Sequence, residues 1–267
     1  MGKGIFALNL ETTPNGITIL RPNWTVPNHV NAFISTRLGG VSQGSYAGLN
    51  LGLHVGDQHA FVMENRGLVS QLLPANPMWL NQVHGIEVGT PTRPLQQADG
   101  SVTGAPNQVL TIMTADCMPV LFCDDVGDIL AACHAGWRGM SLGVIQATLQ
   151  HMIQLKKPDD SKSFLEKIRV YLGPTIGPDH FVVGQEVMAA FLPSIPTQQV
   201  QNCFVPTQNP NQFLADLFQI ARLILHQHGI RLIDSDEICS YTNERIFFSH
   251  RRDKTTGRFA SFLWKAE

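Results

Sequence analysis

Three apolar runs follow one another at such short intervals that neighbouring strands of one sheet are the natural interpretation. Residues 109–113, 119–123 and 129–133 are each long enough for one strand, and few residues separate each run from the next. The segment 124–127 contains Asp and Gly, which favour turns. We therefore predict a β-hairpin with a four-residue loop at 124–127, in which the numbers of facing residues sum to 251.

The predicted register places a thiol opposite an imidazole. Cys117 and His134 satisfy the sum of 251, so they face each other at the open end of the hairpin. Directly opposed side chains have Cβ atoms roughly 4.5–5.5 Å apart, which is close enough to share one metal ion. The register is an assumption, because Pro119 or a bulge within the pair would shift it.

A third ligand would complete a zinc site. His84 interrupts an otherwise apolar segment beside Gly85 and is the best remaining candidate. Two imidazoles and one thiolate suit Zn²⁺ and leave a fourth position for water or substrate, although the same donors also accept copper. A hydrogen-bonded structural histidine and a small buried cysteine are the alternatives for these residue types. The sequence contains neither the His-Glu-x-x-His motif nor the zinc signature of nucleobase deaminases.

The rest of the chain mixes helical and strand-like patterns. Helices are predicted at 61–73, 139–155, 183–191 and 212–228, and further strands at 78–88, 168–172, 246–248 and 259–264. The strands are too closely grouped for a regular doubly wound fold. The pattern therefore indicates an α+β architecture of mixed sheets covered by helices.

Composition excludes several classes of partner. The net charge is −2 with no block of like charges, which gives no support to a nucleic-acid or membrane partner. No apolar run approaches the ~18 residues that a membrane span needs. The five cysteines form no Cys-x-x-Cys pair, as is typical of reduced thiols, and the first residues lack a secretory signal. We therefore expect a cytoplasmic location.

Several basic residues are candidates for binding phosphate. Gly136 and Gly139 bracket Arg138 where a strand gives way to a helix, and the first amides of a helix can bind an anion. Arg66 is a further candidate. A solvated or salt-bridged side chain is the alternative for each arginine, and Arg138 could instead pack over Trp137.

Taken together, nine motifs resemble those of bacterial laccase-domain proteins of the YfiH-like group, known as polyphenol oxidases and as purine nucleoside phosphorylases. They include Gln-Val-His-Gly, Ala-Asp-Cys and His-Ala-Gly-Trp-Arg-Gly. The matching segments are 36–42, 49–57, 65–66, 82–85, 98–100, 114–121, 134–139, 173–177 and 247–252. The resemblance departs at two positions, since His250 stands where the family often has Tyr and Val182 where Glu or Gln is expected.

The resemblance implies a zinc ion held by His84, Cys117 and His134, in a layered α/β/β/α fold. The whole chain, 1–267, would form one domain, with a less certain N-terminal extension over 1–30. The implied pocket binds a purine nucleoside and phosphate, with Arg66 at the phosphate. The implied reaction is phosphorolysis of inosine, adenosine or methylthioadenosine, with adenosine deaminase activity as a second reaction. A homodimer is also expected.

Three alternatives stay open at this point. A copper-dependent polyphenol oxidase would use the same three ligands. A metal-free cysteine hydrolase would use Cys117 as the nucleophile and His134 as its base. The third alternative is a role in editing peptidoglycan precursors, to which the family has been tied.

Overall fold

Two β-sheets stacked face to face form the centre of the molecule in the computed structural model, which describes residues 8–91 and 97–267. The first sheet has the order β1-β2-β3-β14-β6 and is antiparallel throughout, and the second has the order β13-β9-β7-β8-β5-β4. A small third sheet has the order β10-β12-β11. The strands are β1 Leu10–Thr12, β2 Thr18–Leu20, β3 Val30–Ser35, β4 Val88–Gly89, β5 Gly100–Thr103, β6 Leu110–Thr114, β7 Met118–Cys123, β8 Leu130–Ala135, β9 Arg169–Leu172, β10 Val182–Gly184, β11 Phe204–Pro206, β12 Gln212–Ala215, β13 Leu232–Ser235 and β14 Phe259–Lys265.

Helices cover both outer faces of this pair of sheets. They are α1 His59–Ser70, α2 Trp137–Leu142, α3 Val144–Lys156, α4 Ser161–Glu166, α5 Gln185–Phe191, α6 Thr197–Gln201, α7 Leu217–Gln227 and α8 His250–Asp253, and a 3₁₀ turn spans Gly44–Tyr46. Helix α1 packs through Val69 on the outer face of the first sheet. Helices α3 and α7 pack on the outer face of the second sheet. In the described ranges, no helix is long and apolar enough to cross a membrane.

Side chains that point alternately to the two faces of each strand explain why the layers stack in this order. In β8, Ala131 and Cys133 join the core beneath the helices, whereas Leu130 and Ala132 join the core between the sheets. Both faces are buried, as expected of a sheet covered on two sides. The predicted α/β/β/α layering with mixed sheets is therefore confirmed.

The hairpin β7–β8 exists, but its predicted register is wrong by two residues. Pro119 pairs with His134, so facing numbers sum to 253 and six residues, 124–129, form the loop. The Asp124 carboxylate closes the loop by accepting hydrogen bonds from the amides of Asp128 and Ile129, at 2.7 and 3.1 Å. The longer loop follows from this buried side chain, whose role resembles that of a helix cap.

Other predicted elements differ in their boundaries or type. The helix at 139–155 is two helices separated by Gly143, which has a left-handed φ of 105°. Residues 212–215 of the predicted helix 212–228 are strand β12. The segments 246–248 and most of 78–88 form no strand. At the N-terminus, β1 and β2 are paired into the first sheet, while residues 1–7 lie outside the described ranges.

Candidate metal centre

Three side chains from distant parts of the sequence converge at one end of the stacked sheets. The ligand atoms of His84, Cys117 and His134 all lie within 4.8 Å of one another. Cys117 Sγ is 3.7 Å from His84 Nε2, and the two imidazole rings are 4.7 Å apart between centroids. In the described residues, this is the one group of histidine, cysteine or acidic side chains with metal-binding spacing.

The register of the second sheet brings these residues together. His134 lies on β8, on the same face as Leu130 and Ala132, and points into the layer between the sheets. Cys117 immediately precedes β7, where the ladder places it diagonally from His134 rather than opposite it. Diagonal neighbours in a sheet remain within reach of long side chains. The predicted proximity therefore holds although the register is different.

Asp99 organises two of the three candidate ligands, and sequence analysis did not identify this role. Its carboxylate accepts a hydrogen bond from His134 Nδ1 at 2.7 Å. It also accepts hydrogen bonds from the backbone amides of Val83, His84 and Gly85 at 2.8–3.0 Å. The Ala-Asp-Gly motif contained Asp99, but only the tertiary structure shows its partners.

A second buried carboxylate fixes the turn that carries Cys117. Asp116 has a φ of 89°, and its carboxylate accepts hydrogen bonds from the Ser240 hydroxyl at 2.7 Å and from the Arg251 amide at 2.6 Å. Its backbone carbonyl accepts further bonds from the Thr175 hydroxyl and the Ile176 amide. The turn is thus held by three other segments of the chain, which limits how far the Cys117 sulfur can move.

Gly136 provides the space that the cluster occupies. A Cβ at this position would lie 2.7 Å from Cys117 Sγ and 3.1 Å from His84 Cδ2. Gly136 has φ −67°, so its backbone conformation is open to any residue. The absence of a side chain is therefore a requirement of packing against the ligands. Helix α2, which begins after Gly136, has only six residues.

The charges of the histidines favour a thiolate at Cys117. Burial alone would raise the pKa of the thiol, but the charges and hydrogen bonds of His134 and His84 outweigh it and lower this pKa to about 6. In the same way, burial opposes the charged form of His134, but Cys117 and Asp99 raise the pKa of His134 above its ordinary range. The two groups therefore form an ion pair in the metal-free protein, with the sulfur already in the state that binds metal.

The donor set and its spacing fit zinc. Tetrahedral Zn²⁺ with Zn–N of about 2.0–2.1 Å and Zn–S of about 2.3 Å places nitrogen and sulfur about 3.6 Å apart. The Cys117–His84 distance of 3.7 Å is close to this value. His134 donates through Nδ1 to Asp99, so Nε2 is the nitrogen that would bind a metal, which displaces the proton shared with Cys117.

Arg66 belongs to a group of cations beside the metal centre. Its guanidinium stacks over Trp79 at 3.8 Å, and its Nε donates to the Leu51 carbonyl. Burial lowers the pKa of Arg66 to about 10. Burial also lowers the pKa of His54, and the charges of Arg258, Arg66 and His134 lower it further, so all three charges act on this imidazole.

His54 and Arg258 were not identified as site residues from the sequence. Arg258 is linked to the same loop as Arg66, since its amide donates to the Asn50 side chain and its carbonyl accepts the Leu51 amide. Among the residues that the structure describes, neither Arg66 nor Arg258 forms an ion pair with a carboxylate. The sequence did contain a signal for His54, which is a histidine in the glycine-containing motif 49–57.

Arg138 is placed differently. It is exposed and stacks over the adjacent Trp137 ring at 4.4 Å. This is the packing arrangement that the sequence offered as the alternative to phosphate binding.

His250 and Val182, the two positions that depart from the family pattern, lie near one another. The Arg251 guanidinium, next to His250 in the chain, donates to the Val182 carbonyl at 2.7 Å.

Comparison with known proteins shows the family of the chain. A family model described as multi-copper polyphenol oxidoreductase laccase matches residues 31–266. The chain belongs to the laccase-domain family. Among members with curated names, a purine nucleoside phosphorylase of Pseudomonas aeruginosa is 43% identical over 247 residues, covering 92% of this chain and 97% of the relative. The purine nucleoside phosphorylase YfiH of Escherichia coli is 43% identical over 252 residues, covering 92% and 98%.

Solved laccase-domain structures share the fold over nearly the whole chain. A Neisseria meningitidis protein superposes with a TM-score of 0.84 at 41% identity, covering 93% of this chain and 99% of that one. YlmD of Geobacillus stearothermophilus superposes with a TM-score of 0.84 at 28% identity, covering 98% and 100%. The fold and family expected from the sequence motifs are therefore confirmed.

Proposed function

We propose that the chain is a zinc-dependent purine nucleoside phosphorylase. The observation that carries the proposal is the convergence of His84, Cys117 and His134 beside uncompensated arginines, in a chain about 43% identical to relatives named purine nucleoside phosphorylase. A metal centre next to a cationic pocket suits a substrate that brings both an anion and a leaving base. The substrates we propose are inosine, adenosine and methylthioadenosine.

In the proposed reaction, an oxygen of inorganic phosphate forms a bond to C1′ of the sugar while the C1′–N9 bond breaks. The electron pair of that bond moves onto the purine, which gains a proton and leaves as the free base. The other product is the sugar 1-phosphate. The barrier is lowered chiefly by holding the two reactants in line and by stabilising the developing charges.

The cations beside the metal centre are the proposed phosphate site. Arg66 is held by Trp79 and the Leu51 carbonyl, which leaves part of its guanidinium directed to an incoming anion. Arg258 and His54 would complete the site from the neighbouring loop. A zinc ion held by His84, Cys117 and His134 would supply Lewis acidity to the bound substrate.

The experiment measures metal content and hypoxanthine release from inosine on one preparation, with and without phosphate. We expect one equivalent of zinc and release that requires phosphate. His84→Ala should lose both, whereas the control His151→Ala, on the far helix α3, should retain both. Hypoxanthine release without phosphate, or full activity in zinc-free protein, would contradict the proposal.

The polyphenol oxidase remains the second candidate because the matching family model carries that description. The same three ligands accept copper. In the described residues, however, the metal-binding group contains two histidines and one cysteine, far fewer ligands than a multicopper cluster needs. Oxidation of a phenolic dye in proportion to copper content would favour this candidate. Adenosine deamination stays a prediction, which ammonia release from adenosine would test.

A further inference from the structure

The buried carboxylate of Asp99 contacts two of the three candidate ligands at the same time. Oδ1 accepts hydrogen bonds from the His84 amide at 2.9 Å and from His134 Nδ1 at 2.7 Å. Oδ2 accepts them from the amides of Val83 at 3.0 Å and Gly85 at 2.8 Å. A carboxylate has about four acceptor positions. Each is occupied by a protein donor, and Asp99 is fully buried, so water cannot substitute for a missing partner.

The loop that carries His84 depends on this carboxylate for its shape. Residues 81–87 form no helix or strand, and His84 has a φ of 61°, a left-handed conformation that favours glycine. Three consecutive amides converge on one side chain in place of pairing with a neighbouring strand. The position of the His84 imidazole is therefore a consequence of where Asp99 lies.

The same carboxylate selects the proton position on His134. Because Asp99 accepts from Nδ1, the neutral imidazole carries its proton there and directs an unprotonated Nε2 toward the cluster. Asp99 immediately precedes β5, which pairs with β8 so that Gly100 faces Cys133. Its backbone carbonyl accepts the His134 amide at 2.7 Å. Ring orientation and backbone position are thus set by one residue.

We propose that Asp99 is the positioning residue of the metal centre, and that it couples the order of the His84 loop to the tautomer of His134. Zinc affinity, loop order and tautomer are then changed together by one substitution. The inference rests on the metal centre of the proposed function, and it is independent of which reaction that centre performs.

The test is Asp99→Asn. Asparagine has one acceptor oxygen and an NH₂ group, so two of the four donors lose their acceptor and face another donor. An NH₂ directed at His134 requires Nδ1 as acceptor, which moves the ring proton to Nε2, the atom that should bind metal. We expect the zinc dissociation constant, measured by chelator competition, to rise 10- to 100-fold. Hydrogen exchange at the amides of 83–85 should become faster. In metal-free protein at a pH high enough to keep the ring of His134 neutral, its ¹⁵N signals should show the Nε2–H tautomer, where the wild type shows the Nδ1–H tautomer.

Asp124→Asn is the matched control. Asp124 is equally buried and also accepts two backbone amides, but at the opposite end of the β7–β8 hairpin. It should lower stability without changing zinc affinity or the His134 spectrum. Wild-type zinc affinity in Asp99→Asn, or an equal loss in Asp124→Asn, would overturn the inference.

Val83→Pro keeps the experiment decisive should Asp99→Asn fail to fold. The Val83 side chain is exposed, and proline removes its amide donor and fixes φ at about −65° while leaving the Asp99 carboxylate in place. Zinc affinity should fall and exchange at 84 and 85 should rise, while the His134 tautomer stays as in the wild type. Unchanged affinity would refute the coupling. If the wild type binds zinc with this dependence on Asp99 yet releases no hypoxanthine, the phosphorylase proposal fails and the inference stands.

Discussion

Gly136→Ala is the substitution that most directly tests whether the three side chains bind one metal ion. The added methyl carbon would lie 2.7 Å from Cys117 Sγ, whereas ordinary contacts begin at about 3.4 Å. The sulfur or the helix start must therefore move by roughly 0.7 Å, and metal–ligand distances tolerate only about ±0.2 Å. The backbone at Gly136 already suits alanine, so the effect is steric and confined to the cluster.

We expect the zinc affinity of Gly136→Ala to fall about 100-fold, equivalent to about 2.7 kcal/mol. The turn at Asp116 is anchored through Ser240 and Thr175, so the sulfur cannot simply move away. The metal-free variant should stay folded, with a loss of about 1–3 kcal/mol from overpacking. Affinity is measured by competition with a chromogenic chelator, and folding by urea denaturation of chelator-treated protein.

Gly67→Ala is the control for the change from glycine to alanine. Gly67 is exposed on helix α1, and a Cβ there would meet nothing within 4 Å. Because alanine favours helix, this variant should gain up to about 1 kcal/mol in stability and keep its zinc affinity. The reasoning would be refuted if Gly136→Ala bound zinc within about threefold of the wild type while its Cys117 remained protected from alkylation.

Three other results are expected. Trp79→Leu removes the ring beneath Arg66, so the KM for phosphate should rise roughly 2- to 30-fold in steady-state assays with zinc content unchanged; an unchanged KM would argue against a phosphate site at this arginine. In metal-free protein, alkylation of Cys117 by iodoacetamide should persist as the pH falls and be lost only through about pH 6, because the neighbouring histidine charges outweigh burial and lower the pKa of the thiol. Bound zinc should block the reaction. A profile with the ordinary thiol pKa near 9 would contradict this prediction. Val182→Glu places a carboxylate beside the Arg251 guanidinium at an exposed position. The free energy of unfolding in urea should therefore rise by no more than about 1 kcal/mol. A larger gain would contradict the exposed position of this pair.

Local patterns predicted mixed sheets covered by helices but not where elements change type, and the layered order came from the family resemblance. The stripe of apolar residues over 139–155 continues through Gly143 because α2 and α3 both pack on the second sheet, so periodicity alone does not reveal the break. At 212–228 the signal was present, since Asp216 caps α7 by accepting the Gln219 amide. The segment 212–215, Gln-Phe-Leu-Ala, is too short for its pattern to separate a strand from the first turn of a helix.

The aromatic segment at 246–248 shows a different reason for error. Phe247 and Phe248 are fully buried between the sheets, as strand residues would be, yet they pair with no strand. A run of β-favouring aromatic residues reports burial rather than backbone pairing. Likewise, the role of Asp99 could not be recognised from the sequence, because its hydrogen-bond partners are 14 to 35 residues away along the chain.

The metal centre could be located from a wrong register for a physical reason. Side chains alternate across a strand with a period of two, so a shift of two in the sum of paired residues leaves every side chain on the same face. With the sum at 253, Cys117 faces Gly136 rather than His134, and the missing side chain of the glycine is what lets the sulfur reach the imidazole diagonally. A shift of one would have sent Cys117 and His134 to opposite faces, into the inter-sheet layer and the helix layer. Convergence of the ligands therefore depends on an odd sum of paired residue numbers, which requires an even number of residues in the hairpin loop. The six-residue loop closed by Asp124 meets this requirement.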